Sequence, residues 1–140
     1  MSRPNATAPA AHGAPAATVT ARADVAPYVT RDGSIIRELM HPAVHGNRNQ
    51  SLAEAKVPPG CVTLLHRHPQ SEELYHVTAG QGLMTLGDAS FAVGPGDTVH
   101  IAPGTPHRIA NTGDVPLLVL CCCAPPYAHD DTDLLDPAAG

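Results

Sequence analysis

Four residues of this sequence have types and spacing suited to holding one divalent metal ion: His66, His68, Glu73 and His107. They sit in two blocks framed by glycine and proline. The first runs from Gly60 over five residues to His66, then to His68, to Glu73 after four more and to Gly80 after six. The second passes Gly96-Asp97 and Ala102-Pro103-Gly104 to reach His107 and, four residues on, Asn111. Imidazole nitrogens and a carboxylate oxygen suit a first-row divalent ion. Three neutral imidazoles and one carboxylate leave such an ion with a net charge of about +1 and coordination positions open to water, substrate or dioxygen.

The elements that must position these groups read as strands. His66 and His68 are two apart, so on one strand both point to the same face, together with Val62 and Leu64, which would line the approach. Glu73, Tyr75 and Val77 share a face of the next strand, and the link Pro69-Gln70-Ser71 can fold Glu73 back beside the histidine pair. On a later strand His107, Ile109 and Asn111 share a face. Turn signals at Pro58-Pro59-Gly60, Gly80-Gln81-Gly82, Gly87-Asp88, Gly94-Pro95-Gly96, Pro103-Gly104 and Thr112-Gly113-Asp114 cut the chain into short segments. The expected strands are Ser51–Val57, Cys61–His68, Glu73–Thr78, Leu83–Leu86, Ser90–Val93, Thr98–Ile101, His107–Ala110 and Leu117–Cys123. Short strands at this spacing predict an all-β sandwich or barrel. Asp130-Asp131-Thr132-Asp133 could open a short helical turn, which Pro137 would stop.

With these residues in place, the sequence resembles the cupin family. Gly60, His66, His68, Glu73 and Gly80 match the first cupin motif without a gap. Gly96, Gly104, His107 and Asn111 match the second, with Ala102 at its proline position and Pro103 next to it. The resemblance covers about residues 35–124. It implies a small double-stranded β-helix, a jelly-roll barrel with the metal inside, and often a homodimer. The implied cofactor is one divalent transition metal per chain: Fe, Mn, Ni, Cu or Zn. Glu72 competes with Glu73 for the fourth ligand position, and Glu73 is preferred for its distance to Gly80.

Weaker candidates surround the site. Gln50 and Ser51 open the strand before the first motif, Tyr75 shares Glu73's face, and Arg37 could bind an anionic group. His12, His41, His45 and His129 read as ordinary solvated or hydrogen-bonded histidines, His76 and His100 as facing away from the site, Asn111 as a turn-stabilising residue, and Met84 and Leu86 as core. The cysteines, Cys61 and the run Cys121-Cys122-Cys123, form no CxxC pair and read as small buried hydrophobes.

Composition bounds the rest. The 140 residues fit one core, and are 43% apolar and 15% charged, with a net charge of -5. Without a Lys/Arg cluster, neither nucleic acid nor an anionic membrane surface is an expected partner. No apolar run approaches the ~20 residues of a membrane span, and no secretory signal is recognised, so a cytoplasmic setting is expected and the Asn-Xaa-Ser/Thr patterns at Asn5 and Asn49 carry no weight. Residues 1–27, rich in Ala, Pro and Thr, read as a flexible tail, 28–126 as the barrel and 127–140 as a C-terminal extension. The expected function is that of a small-molecule enzyme acting on an oxygen-bearing organic substrate. Dioxygenase is the first choice, with isomerase, decarboxylase and lyase behind it. The alternative is a non-catalytic metal- or ligand-binding module.

Overall fold

The computed structural model describes residues 17–136. Residues 1–16 and 137–140, with most of the expected tail, His12, the Asn5 pattern and Pro137, lie outside the described residues. Eleven strands follow in chain order: β1 Tyr28–Val29, β2 Ile35–Met40, β3 Ser51–Val57, β4 His66–Arg67, β5 Glu72–Ala79, β6 Gly82–Leu86, β7 Ala89–Val93, β8 Thr98–Ile101, β9 His107–Asn111, β10 Leu117–Ala124 and β11 Asp133–Leu134. One short helix, α1 Pro42–His45, stands between β2 and β3. His41 Nδ1 accepts from the Ala43 N–H at its start, Pro42 opens it, and Gly46 ends it in the left-handed region.

The strands form two antiparallel sheets, ordered β1-β2-β3-β10-β5-β8 and β11-β4-β9-β6-β7. This is the expected all-β jelly roll. Alternation along each strand decides which side chains face inward. In β5, Glu73, Tyr75 and Val77 are buried while Glu72, Leu74 and Thr78 are exposed. In β9, His107, Ile109 and Asn111 are buried while Arg108 is exposed. Val77, Met84, Ile101 and Leu117 are fully buried in the core away from the cavity, and Val57 and Val119 are buried beside it. Asn111 ties the turns together: its Nδ2 donates to Val57 O and Val115 O, and its Oδ1 accepts from Gly113 N–H.

The expected strand Cys61–His68 is the main departure. Only His66–Arg67 is strand, with an isolated bridge from Val62 to Ala110. The reason lies in the backbone partners. Thr63 N–H donates to Ile109 O, Leu64 N–H to Asp32 O and Leu65 N–H to the Asp136 carboxylate, so successive residues are held by three different segments. Two-residue alternation cannot survive that, and Val62 is 53% exposed while Thr63 is buried. The apolar approach expected from Val62 and Leu64 therefore does not form.

Both ends of the described chain are tied to the barrel. Arg22 Nε donates to both Glu54 carboxylate oxygens at 2.8 and 2.9 Å across the outer face of β3. Thr20 Oγ1 donates to Leu39 O. Residues His129–Asp131 make a tight 3-10 turn, and β11 then pairs with β4, Leu134 opposite His66 and Asp133 opposite Arg67.

Gly80, the last residue of the first block, turns β5 into β6 at φ +85°, and a Cβ there would lie 2.7 Å from Pro116 O. Backbone conformation and space both exclude a side chain. Gly80→Ala is expected to lower unfolding free energy by at least ~2 kcal/mol, checked by urea denaturation.

Candidate metal centre

Strand register brings the histidines together. His66 of β4 lies directly opposite His107 of β9 in antiparallel pairing, and His68 follows two residues on. All three are buried, and their ring centroids are 4.2 to 5.5 Å apart. One potential ligand atom from each lies within 4.8 Å of those of the other two, so the three could hold a metal ion. Glu73 completes the group: its Oε1 is 3.3 Å from His68 Nε2 and 3.3 Å from His107 Nε2. Glu72 points outward and meets His100 Nε2 at 2.7 Å in solvent.

The back of each imidazole is fixed by a carbonyl. His66 Nδ1 donates to Leu64 O at 2.8 Å, His107 Nδ1 to Thr105 O at 2.9 Å, and His68 Nδ1 faces Asp131 O and Thr132 Oγ1, both at 3.2 Å. A carbonyl can only accept, so Nδ1 carries the proton and each neutral ring keeps its Nε2 lone pair for the centre. Glu73 is held from behind by Cys123, directly opposite it on β10, whose thiol donates to Oε2 at 3.2 Å.

The front of the group is unsatisfied. Glu73 Oε1 and His107 Nε2 are buried without a hydrogen-bond partner, an arrangement that costs free energy unless something is held there. Burial pushes the Glu73 carboxyl up, but His107 and His68 outweigh it and hold the value down at about 2. His66 is lowered, by burial first and then by the neighbouring His107. His68 is raised, because Glu73 and the Asp131 carbonyl outweigh its burial. An ionised carboxylate facing three Nε2 lone pairs is a donor set that fits a divalent ion.

Beyond the donors lies a cavity of about 50 Å³. Its apolar walls are Ile36, Ala53, Ala55, Val57, Ile109 and Val119. Its polar lining includes Asp32, Ser34, Glu38, Ser51 and Tyr75. The small side chains of Ala53 and Ala55 leave the space open. Tyr75, expected near the site, lies edge-on to His107 with ring centroids 5.7 Å apart. Two expected contacts are not brought there. Arg37 alternates outward on β2, toward Glu54 at 3.9 Å, because Ile36 and Glu38 take the inward positions. Gln50 precedes β3 in an exposed turn, where its Oε1 meets Cys122.

The sequence of the cupin domain family matches residues 53–123. The chain belongs to the cupin family. An uncharacterised protein from Methanocaldococcus jannaschii is 56% identical over 112 residues, covering 80% of this chain and 90% of its own. Among solved structures, a predicted oxalate decarboxylase from Thermotoga maritima superposes with a TM-score of 0.68 at 24% identity, covering 76% of this cupin and 97% of that chain. Pac13, a nucleoside dehydratase from Streptomyces, gives 0.70 at 14% identity, covering 86% and 92%. At these identities the two structures share the fold.

Sequence reasoning missed four contributors to the cupin's site. Asp32 stands in the turn before β2, where its Oδ1 accepts from Ser34 N–H and Oγ. The same turn places Oδ2 3.6 Å from His66 Nε2. Thr132 and the Asp131 carbonyl, which orient His68, come from the segment read as an extension. Cys123 was read only as a small hydrophobe, and its pairing with Glu73 needs the β5–β10 register. Substituting His66, His68 or His107 by Ala is expected to weaken metal affinity by more than the ~10–100-fold that loss of an outer-shell partner costs, and so to lower sharply the metal bound per chain. His100→Ala and His129→Ala should leave it unchanged. Elemental analysis of untagged protein checks both.

Proposed function

We propose that this cupin is a mononuclear metal enzyme, with His66, His68, His107 and Glu73 holding one divalent transition ion (Fe, Mn, Ni, Cu or Zn) and a small oxygen-bearing organic molecule as substrate. The observation that carries this reading is the pair of unpartnered, buried donor atoms, Glu73 Oε1 and His107 Nε2, in a donor group whose His66 and His68 line an internal cavity. When bound, such an ion supplies Lewis acidity toward a substrate oxygen and, if redox-active, a path for electrons to dioxygen. The chain's own residues set the rest. Carbonyls of Leu64, Thr105 and Asp131 fix the imidazoles, Cys123 fixes Glu73, and the walls from β2, β3, β9 and β10 exclude bulk water.

Oxidation by dioxygen is the first reaction class, supported by apolar walls that accept a nonpolar gas and an organic substrate. Isomerisation, decarboxylation or elimination is the second. It is supported by the carboxyl groups of Asp32 and Glu38, which face the cavity and can hold or release a proton.

The same proposal includes a homodimer in a reducing, cytoplasmic setting. All four cysteines are free. On the outer face of the first sheet, Cys122 lies opposite both Leu52 and Leu74, beside Leu120, and Leu74 is 42% exposed. Such an apolar patch suits a second copy of the chain. Among the described residues no helix is long and apolar enough to cross a membrane.

Two measurements test the proposal. Protein reconstituted anaerobically with Fe(II), Mn(II), Ni(II) or Cu(II) and offered enols and catechols is expected to consume dioxygen with at least one metal. Ligand-induced thermal stabilisation without turnover under any metal would instead assign a binding module. Leu74→Glu is expected to shift the protein from dimer to monomer in sedimentation analysis, with metal content retained.

A further inference from the structure

The cavity is acidic in a way that the metal donors do not require. Ser34, just before β2, and Ile36 and Glu38 within it line the inner cavity, and Glu38 also lines an outer chamber of about 430 Å³. Tyr28 and Tyr127 line both chambers as well, so the three side chains mark the passage between them. Glu38 Oε1 is buried there without a hydrogen-bond partner. Among the described residues no Lys or Arg lines either chamber; the inner one has Asp32, His66 and His68, and the outer one His41 and His129. The ionisable groups that interact with Glu38 are Tyr28, His41 and Cys121, and Asp32, Tyr127 and His129 share its chambers.

This inventory decides between ligand classes. A dicarboxylate such as oxalate would bring two negative charges to a lining that already holds Asp32 and Glu38 and, among the described residues, offers no positive group apart from the imidazoles and the ion they would hold. It would also leave Glu38 Oε1 unpartnered, because it has no proton to give. An uncharged molecule with hydroxyl groups does the opposite: one hydroxyl donates to Oε1, and the rest of the molecule extends past Tyr28 and Tyr127 into the larger chamber.

We propose that this cavity selects an uncharged, hydroxyl-bearing organic ligand over a dicarboxylate, with Glu38 as the residue that accepts the ligand's hydroxyl proton. The inference rests on the metal-site reading above. In the transfer the ligand's O–H bond breaks, its oxygen keeps the electron pair and turns to the His66–His68–His107 group, and the proton forms the new O–H bond on Glu38. The sum of charges within the cavity is unchanged. Glu38 suits the role, since burial pushes its carboxyl above the usual range against smaller opposing effects of His41 and Tyr28.

The test uses the full chain loaded with Co(II), with the cobalt visible spectrum and calorimetry as readouts and catechol and oxalate as probes. Catechol is expected to change the cobalt spectrum and to bind at least about tenfold more tightly than oxalate. Glu38→Gln should weaken catechol and strengthen oxalate, each by about tenfold, because it removes both the proton acceptor and a negative charge. Oxalate binding the unmutated protein as tightly as catechol would overturn the inference, whatever the variant does. So would a Glu38→Gln protein that retains cobalt and shows the same preference as the unmutated chain. Failure of the unmutated chain to bind cobalt would overturn the metal-site reading instead, and the inference with it.

Discussion

Burying three imidazoles and a carboxylate within a few ångströms of one another is tolerable only if each is held from behind and has something to meet in front. Much of the barrel's irregular backbone serves the first condition. Leu64 O and Thr105 O sit two residues before His66 and His107, so each histidine is braced by its own entry loop. His68 has no such loop behind it and takes its brace from Asp131 and Thr132, sixty-three and sixty-four residues along the chain. A regular β4 running from Cys61 would have committed Leu64's carbonyl to a sheet ladder. The broken strand is the consequence of carbonyls that must point at imidazoles.

Sequence and structure agree where one period or one spacing controls the outcome. β3 and β8 occupy the expected ranges, and β5, β6, β7, β9 and β10 differ by about a residue at one or both ends, because alternating burial and Gly/Pro turns set them locally. The same local logic separates Glu73 from Glu72, which face opposite sides of β5. Legibility ends where tertiary partners decide. The path of residues 61–65 depends on Ile109, Asp32 and Asp136, and no pattern within those five residues reveals it. Arg37 is a candidate for its charge and Gln50 for opening the strand before the first motif, yet one lies on the outward phase of β2 and the other precedes the ladder of β3.

The cavity shows the same division. That β3 lies against β10 and β2 follows from topology, but the open space follows from size: Ala53 and Ala55 occupy inward positions that Val or Leu would fill. Their neighbours Ile36, Val57 and Val119 keep the walls apolar, and the carboxyl groups stand apart, at Asp32 beside the imidazoles and at Glu38 toward the mouth. A core of this kind gives up packing that a tighter one would gain. The chain retains the difference in the core away from the cavity, where Met84, Ile101 and Leu117 are fully buried.

The two-residue strand β4 carries one of the three histidines, with His68 just past its end, and has no partner near it in sequence. One edge waits for His107, and the other for Asp133 and Leu134. During synthesis, therefore, the first block leaves the ribosome long before the segments that hold it in shape, and the imidazoles of His66 and His68 stay solvent-accessible while most of the first sheet can already pair. The donor group becomes an enclosed pocket only when residues 129–136 arrive. Whatever occupies it can enter from water up to that moment, without the barrel having to open.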